Sequence, residues 1–521
     1  LLFRASGPIL ENSKESIALW LSQKAGIQVD IQKVSTTWIG LSPNLILQEI
    51  TLDKNKNPLP IDKIVVDLEL SEFFSNNFKN ILRVTVHGVN VSIEKGQKNK
   101  IKILNIEDFL SDSPVNNNIA FTNIRLRNTQ IIFNDKRLNA PQIILKNIAA
   151  DLKVNKNKFS INSKIKLGSG KFQIAVIGSK ETNSDNWLIS SYLKANISKI
   201  PNFIYDYFPK EYQFSSSKFH IELWQDWSQG LPIKSKGSFL AEKIIFDRNQ
   251  IFQQTEIEKI QSDFQINRKS KNSWLVGLEK FSISNNSGLS ISDRKIVFQS
   301  SEEVGNKNIQ AFVDGLSLEN ATQLVEKTTI FQNDIKQILK KTSLKGNLKK
   351  LYFTFNFEEN FWKFSSQFDT VSLKNFKSKY HIKNLNGKIK SIGNKHNILI
   401  DSKDVDLKTQ DLFRDKIRIS DLSGTLKVNI NKNKWDIFSK KIILNTPDFQ
   451  STSSFELRSH KNKEPYLRLI SQFSNGDVKN AYKYFPVSLM KEKLVSWLDD
   501  SLIDGKIEEG GLLINGPLKN F

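Results

Sequence analysis

The chain has no cysteine. This excludes disulfides, thiolate metal sites and a cysteine nucleophile, and it leaves the redox compartment open. Long hydrophobic runs are also missing. No stretch of about 18 apolar residues occurs, so no segment within the sequence reads as a membrane-spanning helix. Histidine is scarce: His87, His220, His381, His396 and His460 are dispersed, and none has a second histidine three or four residues on. They read as surface or strand-edge residues rather than metal ligands. No Gly-x-Ser-x-Gly, Walker-type or dinucleotide fingerprint is present. Carboxylates pair as sequence neighbours, as at Glu302/Glu303, Asp499/Asp500 and Glu508/Glu509, and neighbours point to different faces of a strand or helix. The sequence therefore offers no catalytic, metal or cofactor residues, and the chain is not read as an enzyme.

Arginine is sparse beside lysine, although the formal net charge is +22. Recognition of phosphates or base edges favours arginine and clustered basic stripes. Here the lysines are spread, with Asn and Ser, over nearly every hairpin tip. A solvated surface is the plainest account, attraction to anionic lipid headgroups comes second, and no nucleic-acid partner is assigned.

What the chain does have is a recurring hairpin. In Leu422 to Leu444, Leu426, Val428 and Ile430 alternate, a polar tip runs Asn431 to Lys434, and Trp435 and Ile437 open a return strand. Ile442 and Leu444 are expected to begin a third strand. Alternation of period 2 broken by an Asn/Lys tip marks a half-buried antiparallel hairpin. The pattern returns at Leu152 to Ile161, Phe172 to Trp187, Phe264 to Val276 and Phe353 to Phe364, each return strand opening on an aromatic residue. Apolar-x-Gly-x-apolar also recurs at Leu344/Gly346/Leu348, Leu385/Gly387/Ile389 and Leu422/Gly424/Leu426. This repetition predicts a mainly β fold: an elongated, curved antiparallel β-sheet groove built from repeated meander units, with a few short helices capping or plugging it.

Taken in order, residues 1–25 read as a membrane-proximal helix, Pro8 to Ala25, with Ile17, Leu21 and Ala25 on one face and Gly26 as its stop. Residues 26–200 form a first β segment. Within it the apolar phase slips across Gly88, between Val84/Val86 and Val89/Val91, as a bulge or tight turn would require. Asn105 to Leu110 reads as a turn or two of helix. Residues 201–343 form a second segment, with a short helix near Pro201 to Tyr212 and a helix over 317–341 striped by Phe331, Ile335, Ile338 and Leu339. Residues 344–521 form a third, with a helix over 488–503 capped by Ser488 and stopped by Gly505. The chain starts at Leu1 rather than Met and is read as a fragment. Leu1, Leu2 and Phe3 before Arg4 fit the tail of a transmembrane anchor, with an ordinary frayed start as the alternative.

A long sheet with one apolar face must bury that face or use it. The plain account is a β-sandwich core. The sharper account is an incompletely closed sheet that keeps its apolar concavity for acyl chains, whose contacts are non-directional and scale with apolar area. Its floor residues are then expected among Val84, Val86, Phe353, Phe355, Phe357, Val428, Ile430, Ile442 and Leu444.

Two segments carry a resemblance. Leu19 to Ile31 followed by Trp38-Ile-Gly40-Leu-Ser-Pro43-Asn-Leu45 is similar to the opening of the AsmA-like superfamily, YhdP branch. Tyr484-Phe485-Pro486, then Trp497-Leu498, then Gly516-Pro517-Leu518 resembles a segment of that branch's large periplasmic domain. The resemblance implies a bridge-like lipid transfer protein of a Gram-negative envelope, with an N-terminal inner-membrane anchor and its bulk in the periplasm. It implies phospholipid acyl chains as cargo, contact with the outer membrane, no cofactor and no catalytic residues. Trp38, Gly40, Pro43, Tyr484, Phe485, Pro486, Trp497, Gly516 and Pro517 carry the motif. The competing expectation is an envelope-assembly scaffold that binds other proteins by strand addition, with a dry core and an unpaired edge. A secreted β-solenoid adhesin ranks last.

Overall fold

A computed structural model describes residues 12–25, 27–39, 42–54, 57–68, 82–95, 101–103, 123–136, 142–155, 158–167, 170–180, 187–198, 214–215, 218–228, 231–246, 255–270, 273–303, 306–327, 342–375, 380–409, 412–431, 434–461 and 463–518. The chain divides into two compact units, Leu1–Asn249 with Glu256–Gln265, and Gln250–Thr255 with Ile266–Phe521.

The first unit opens with helix α1 (Lys14–Ala25) and strands β1 (Gln28–Ile39), β2 (Ser42–Lys54), β3 (Asn57–Leu68), β4 (Leu82–His87) and β5 (Asn90–Lys95). It continues through β6 (Ile101–Ile103), β7 (Asn123–Asp135), β8 (Ile143–Asn155), β9 (Lys158–Leu167), β10 (Gly170–Lys180) and β11 (Trp187–Ile197). The short β12 (Phe214–Ser215), β13 (Lys218–Ser228) and β14 (Leu231–Phe246) follow, and β15 (Thr255–Ser270) carries residues of both units. Ile17, Ala18 and Leu21 of α1 pack on a core of Val29, Ile31, Val34, Leu47, Ile50, Leu59 and Ile61. Ser22 Oγ accepts from Val29 N at 2.9 Å and ties the helix to β1.

The second unit holds β16 (Ser273–Ser284), β17 (Ser290–Glu303), β18 (Asn306–Ser317), helix α2 (Leu318–Lys327), β19 (Thr342–Asn356), β20 (Phe361–Asn375) and β21 (Tyr380–Ile392). Then come β22 (Lys395–Thr409), β23 (Ile417–Asn431), β24 (Lys434–Asn445), β25 (Gln450–His460) and β26 (Tyr466–Asp477), helix α3 (Glu492–Ser501) and β27 (Lys506–Pro517). From β16 to β27 every strand pairs antiparallel with the next, across tight turns in most cases and across longer connections that hold α2 (β18 to β19) and α3 (β26 to β27). The first unit is antiparallel too, with one exception: β4 and β5 both run parallel to β7. Gly88 makes the corner between them at φ +73°, where a side chain would collide with Asp62, so the phase slip read at Gly88 is a real break in the strand.

Alternation is also interrupted inside most long strands. One non-glycine residue within the strand has positive φ in each of β2, β7, β8, β14, β16, β17, β19, β20, β21, β22 and β26, for example Thr370, Asn384 and Asp404. Register shifts accompany many of them. Bulges of this kind bend a strand and switch which residues face which side. In β22, Ile398, Ile400 and Ser402 share a face, and past Asp404 the odd residues Val405 and Leu407 take it over. That face is buried or half-buried and the opposite one is largely exposed, although no second sheet covers either among the described residues. The apolar face is therefore the inside of the bend. Beyond the bulges of the second unit lies a small core of Val405, Ile417 and Ile419, flanked by Leu385, Leu422, Leu444, Phe413 and Tyr484.

The structure corrects several local expectations. Ile442 and Leu444 do not start a new strand; they continue β24 after a bulge between Ser439 and Ile442, where Ser439 Oγ accepts from Lys441 N at 3.2 Å. Ser488 caps no helix. It lies in a 3-10 turn, α3 starts at Glu492, and Lys491 at its N-cap makes no side-chain bond. The described part of the helix expected over 317–341 is α2; Phe331, Ile335, Ile338 and Leu339 lie outside the described residues. Pro8, Gly26 and the helices expected at Asn105 to Leu110 and Pro201 to Tyr212 also lie outside them.

The candidate functional site is an uncharged apolar face

Directly opposed residues of paired strands share a face, so registers can be followed from strand to strand across a sheet. In the second unit one such rung runs Val276, Phe298, Ala311, Phe353, Phe364, Ser391, His396, Val428, Ile437, Leu457, Leu467, Gly516. It crosses every strand from β16 to β27 without a charged side chain. His396 is its sole ionisable member, and burial pushes that imidazole below its ordinary value of 6.5. The next rung toward the bulges contains Leu278, Ile296, Val313, Ser366, Ile389, Ile398, Leu426, Phe455, Leu469 and Ile514.

The first unit repeats the arrangement. Thr36, Leu45, Val66, Val84, Ile124, Leu152, Ile161, Val176, Ser191, Gln225 and Ser235 form one rung. Val34, Leu47, Ile64, Val86, Leu126, Ala150, Ser163, Ile174, Leu193, Leu223 and Gly237 form its neighbour. Some polar side chains on this face pair with one another: Trp227 Nε1 donates to Ser191 Oγ at 2.9 Å and Gln225 Nε2 to Ser235 Oγ at 3.2 Å.

The expected floor residues fall as follows. Val84 and Val86 lie on the two rungs of the first unit, and Phe353 and Val428 on one rung of the second. Phe355 and Ile430 lie one step nearer the hairpin tips, opposite Trp362 and Trp435. Phe357 lies in the turn after β19, edge-on to Phe355 at 4.8 Å with Lys307 over its ring, so it belongs to the rim. Ile442 and Leu444 sit beyond the bulge line, opposite Gly424 and Leu422. Sequence reasoning missed most of each rung, Phe364, Ile398, Leu457 and Leu469 included. The signal was alternation in every hairpin, obscured by phase changes at non-glycine bulge residues.

The face is accessible. Phe353 is 40% exposed and Ile430 50%, and no helix or second sheet overlies them among the described residues. The opposite face carries the charge, for example Lys363, Lys388, Lys390 and Lys427. An apolar strip of this extent offers non-directional burial worth about 0.8 kcal/mol per methylene covered.

The motif residues have structural surroundings. Trp38 and Pro43 face each other across the β1–β2 hairpin, and Gly40 lies outside the described residues. Tyr484 Oη donates to Asp448 Oδ2 at 2.7 Å and its ring meets Phe449 edge-on at 4.7 Å; burial pushes its phenol up to about 12. Phe485 and Pro486 link the two 3-10 turns that follow β26. Trp497 is 62% exposed on α3, while Gly516 and Pro517 oppose Leu467 and Tyr466. Arg414 grips Asp499 with two bonds of 2.8 and 2.6 Å and pins α3 to the turn before β23.

Among the described residues no group of three or more His, Asp or Glu is placed to hold a metal, and no helix is long and apolar enough to cross a membrane. A family model described as YhdP protein matches residues 1–521. No curated protein and no solved structure matches the chain.

Proposed function

The chain belongs to the YhdP family, and from that premise we propose that it is a bridge-like lipid transport protein carrying phospholipid between the inner and outer membranes of a Gram-negative envelope. Acyl chains lie on the uncharged faces of the sheets and slide from strand to strand, while lysines on the other face and at the tips stay in water. Movement needs no chemistry on the lipid, because dispersion and hydrophobic contact are much the same at every rung. In this reading an inner-membrane anchor precedes α1 and the described strands lie in the periplasm.

The observation that supports this most is the rung from Val276 to Gly516, unbroken by charge over consecutive strands. A protein core would have no reason to keep such a strip half-exposed. The test is mass spectrometry of organic extracts from the purified chain after export to the periplasm. Several phospholipids per chain are expected. A well-folded, lipid-free protein would replace this reading with the strand-addition scaffold.

A further inference from the structure

The rim of the second unit's apolar face differs in chemistry from its floor. Trp362 and Trp435 open the return strands of two hairpins, one step nearer the tips than the rung that holds His396. Trp362 O accepts from Gly393 N and Asn394 O from Ile430 N, both at 3.0 Å, so Trp362 and Ile430 flank the turn above His396. Ile430 in turn opposes Trp435. The Trp362 and His396 ring centroids are 6.2 Å apart.

His396 Nδ1 lies 2.9 Å from Ser391 Oγ, which is buried. With Ser391 donating, Nε2 carries the proton and is the imidazole's remaining donor. Neither indole N–H has a hydrogen-bond partner among the described residues. Indole and neutral imidazole are apolar bodies with one polar tip, suited to a boundary between oil and water. The chain also sets a lysine beside each of them: Lys363 follows Trp362, Lys395 precedes His396 and Lys434 precedes Trp435. Strand alternation turns those lysines to the opposite, solvated face at the same height. The lysines therefore stay in water on the far face, and on the apolar face the indoles of Trp362 and Trp435, with His396 one step below them, border the floor where an acyl chain would meet its ester.

We infer that Trp362, His396 and Trp435 form a recognition level for the ester linkages of a diacyl glycerophospholipid, donating hydrogen bonds to its carbonyls while the chains lie on the floor. This rests on the proposed lipid-carrying function and adds the bond type that the groove selects. It makes the protein discriminate ester-linked from ether-linked lipid of the same headgroup and chain length.

The test is competitive loading of the purified chain from mixed vesicles of dioleoyl phosphatidylglycerol and its diether counterpart, with bound lipid counted by mass spectrometry. The wild-type chain is expected to hold about fivefold more ester than ether lipid, the ratio one retained hydrogen bond supplies. His396→Phe is expected to bring the ratio toward one without lowering the ether load, and Trp435→Phe serves if that variant does not fold. Equal loading of both lipids by the wild type overturns the ester level and leaves lipid carriage standing. No loading of either overturns lipid carriage itself, and the ester level with it.

Discussion

The backbone N–H of Asn386 donates to Ser402 Oγ at 2.8 Å, and the same hydroxyl donates back to the Asn386 carbonyl at 3.0 Å. Asn386 lies in the stretch of β21 where the register with β22 shifts, close to Asn384 at φ +65°. A bulge takes backbone groups out of the ladder, and in a buried position they need another partner. The serine supplies it from the neighbouring strand. Ser366 Oγ does likewise for Lys349 O at 3.0 Å, Ser163 Oγ for Ala149 O at 2.8 Å, and Ser282 Oγ accepts from Asp293 N at 3.0 Å. These serines are what lets an apolar face bend without orphaned amides.

Ser402→Ala should therefore destabilise the second unit by about 1–3 kcal/mol, because it leaves a buried amide unpaired. Thr425→Ala, on the exposed face of β23, should stay within about 0.5 kcal/mol. Urea denaturation of both variants decides the matter; equal midpoints would remove the serine from the account of the bend.

Placing a charge on the rung should block cargo without unfolding the protein. Val428→Asp puts a carboxylate between His396 and Ile437, where an acyl chain would have to desolvate it. Lipid recovered from the purified chain should drop several-fold, whereas Thr425→Asp on the other face should carry the wild-type load.

Acidification should weaken both the fold and the proposed loading. Burial holds His396 below 6.5, as it does His381 and His87, the latter two with help from neighbouring lysines or Arg127. A lowered folded value means that the unfolded chain takes up protons first. The stability these groups contribute is complete above pH 6.5 and declines as pH falls below it. Ser391 and Val428 oppose His396 and the Trp362 ring lies beside it, none of them charged, while Lys395 and Lys427 lie on the other face. Lipid load measured from about pH 7.5 to about pH 5 should fall for the wild type and stay level for His396→Phe.

Cutting the Arg414–Asp499 pair should loosen α3 alone. Asp499→Asn removes the carboxylate that Arg414 grips and that the guanidinium holds below its ordinary value. Hydrogen exchange in α3 should speed up several-fold with the melting temperature unchanged, since the core of Val405, Ile417 and Ile419 is untouched. The wild-type tether should be intact above about pH 4 and lost as pH falls through the lowered carboxylate value. Unaltered exchange in the variant would leave α3 held by other contacts.

Much of the architecture was legible in the residues themselves. Alternation in Leu426, Val428 and Ile430, the polar tips and the aromatic openings at Trp362 and Trp435 are local, and a period-2 pattern needs no distant partner to be read. The same alternation put Val84, Phe353 and Val428 on the apolar phase of their strands. Tertiary structure alone decided which residues stand together. The phase changes at Lys280, Thr370 and Asp404, none of them glycine. Strand pairing, bonds donated by Ser282 to Lys280 O and by Asn384 to Asp404 O, and the bond Asn386 Oδ1 accepts from Thr370 N hold these residues in a backbone region their own side chains do not favour. Past such a point the face of each residue depends on register, and register is set by pairing with another strand. Hence Ile442 looked like a new strand, and hence Phe353 and Val428, 75 positions apart by their numbers, proved to share one rung.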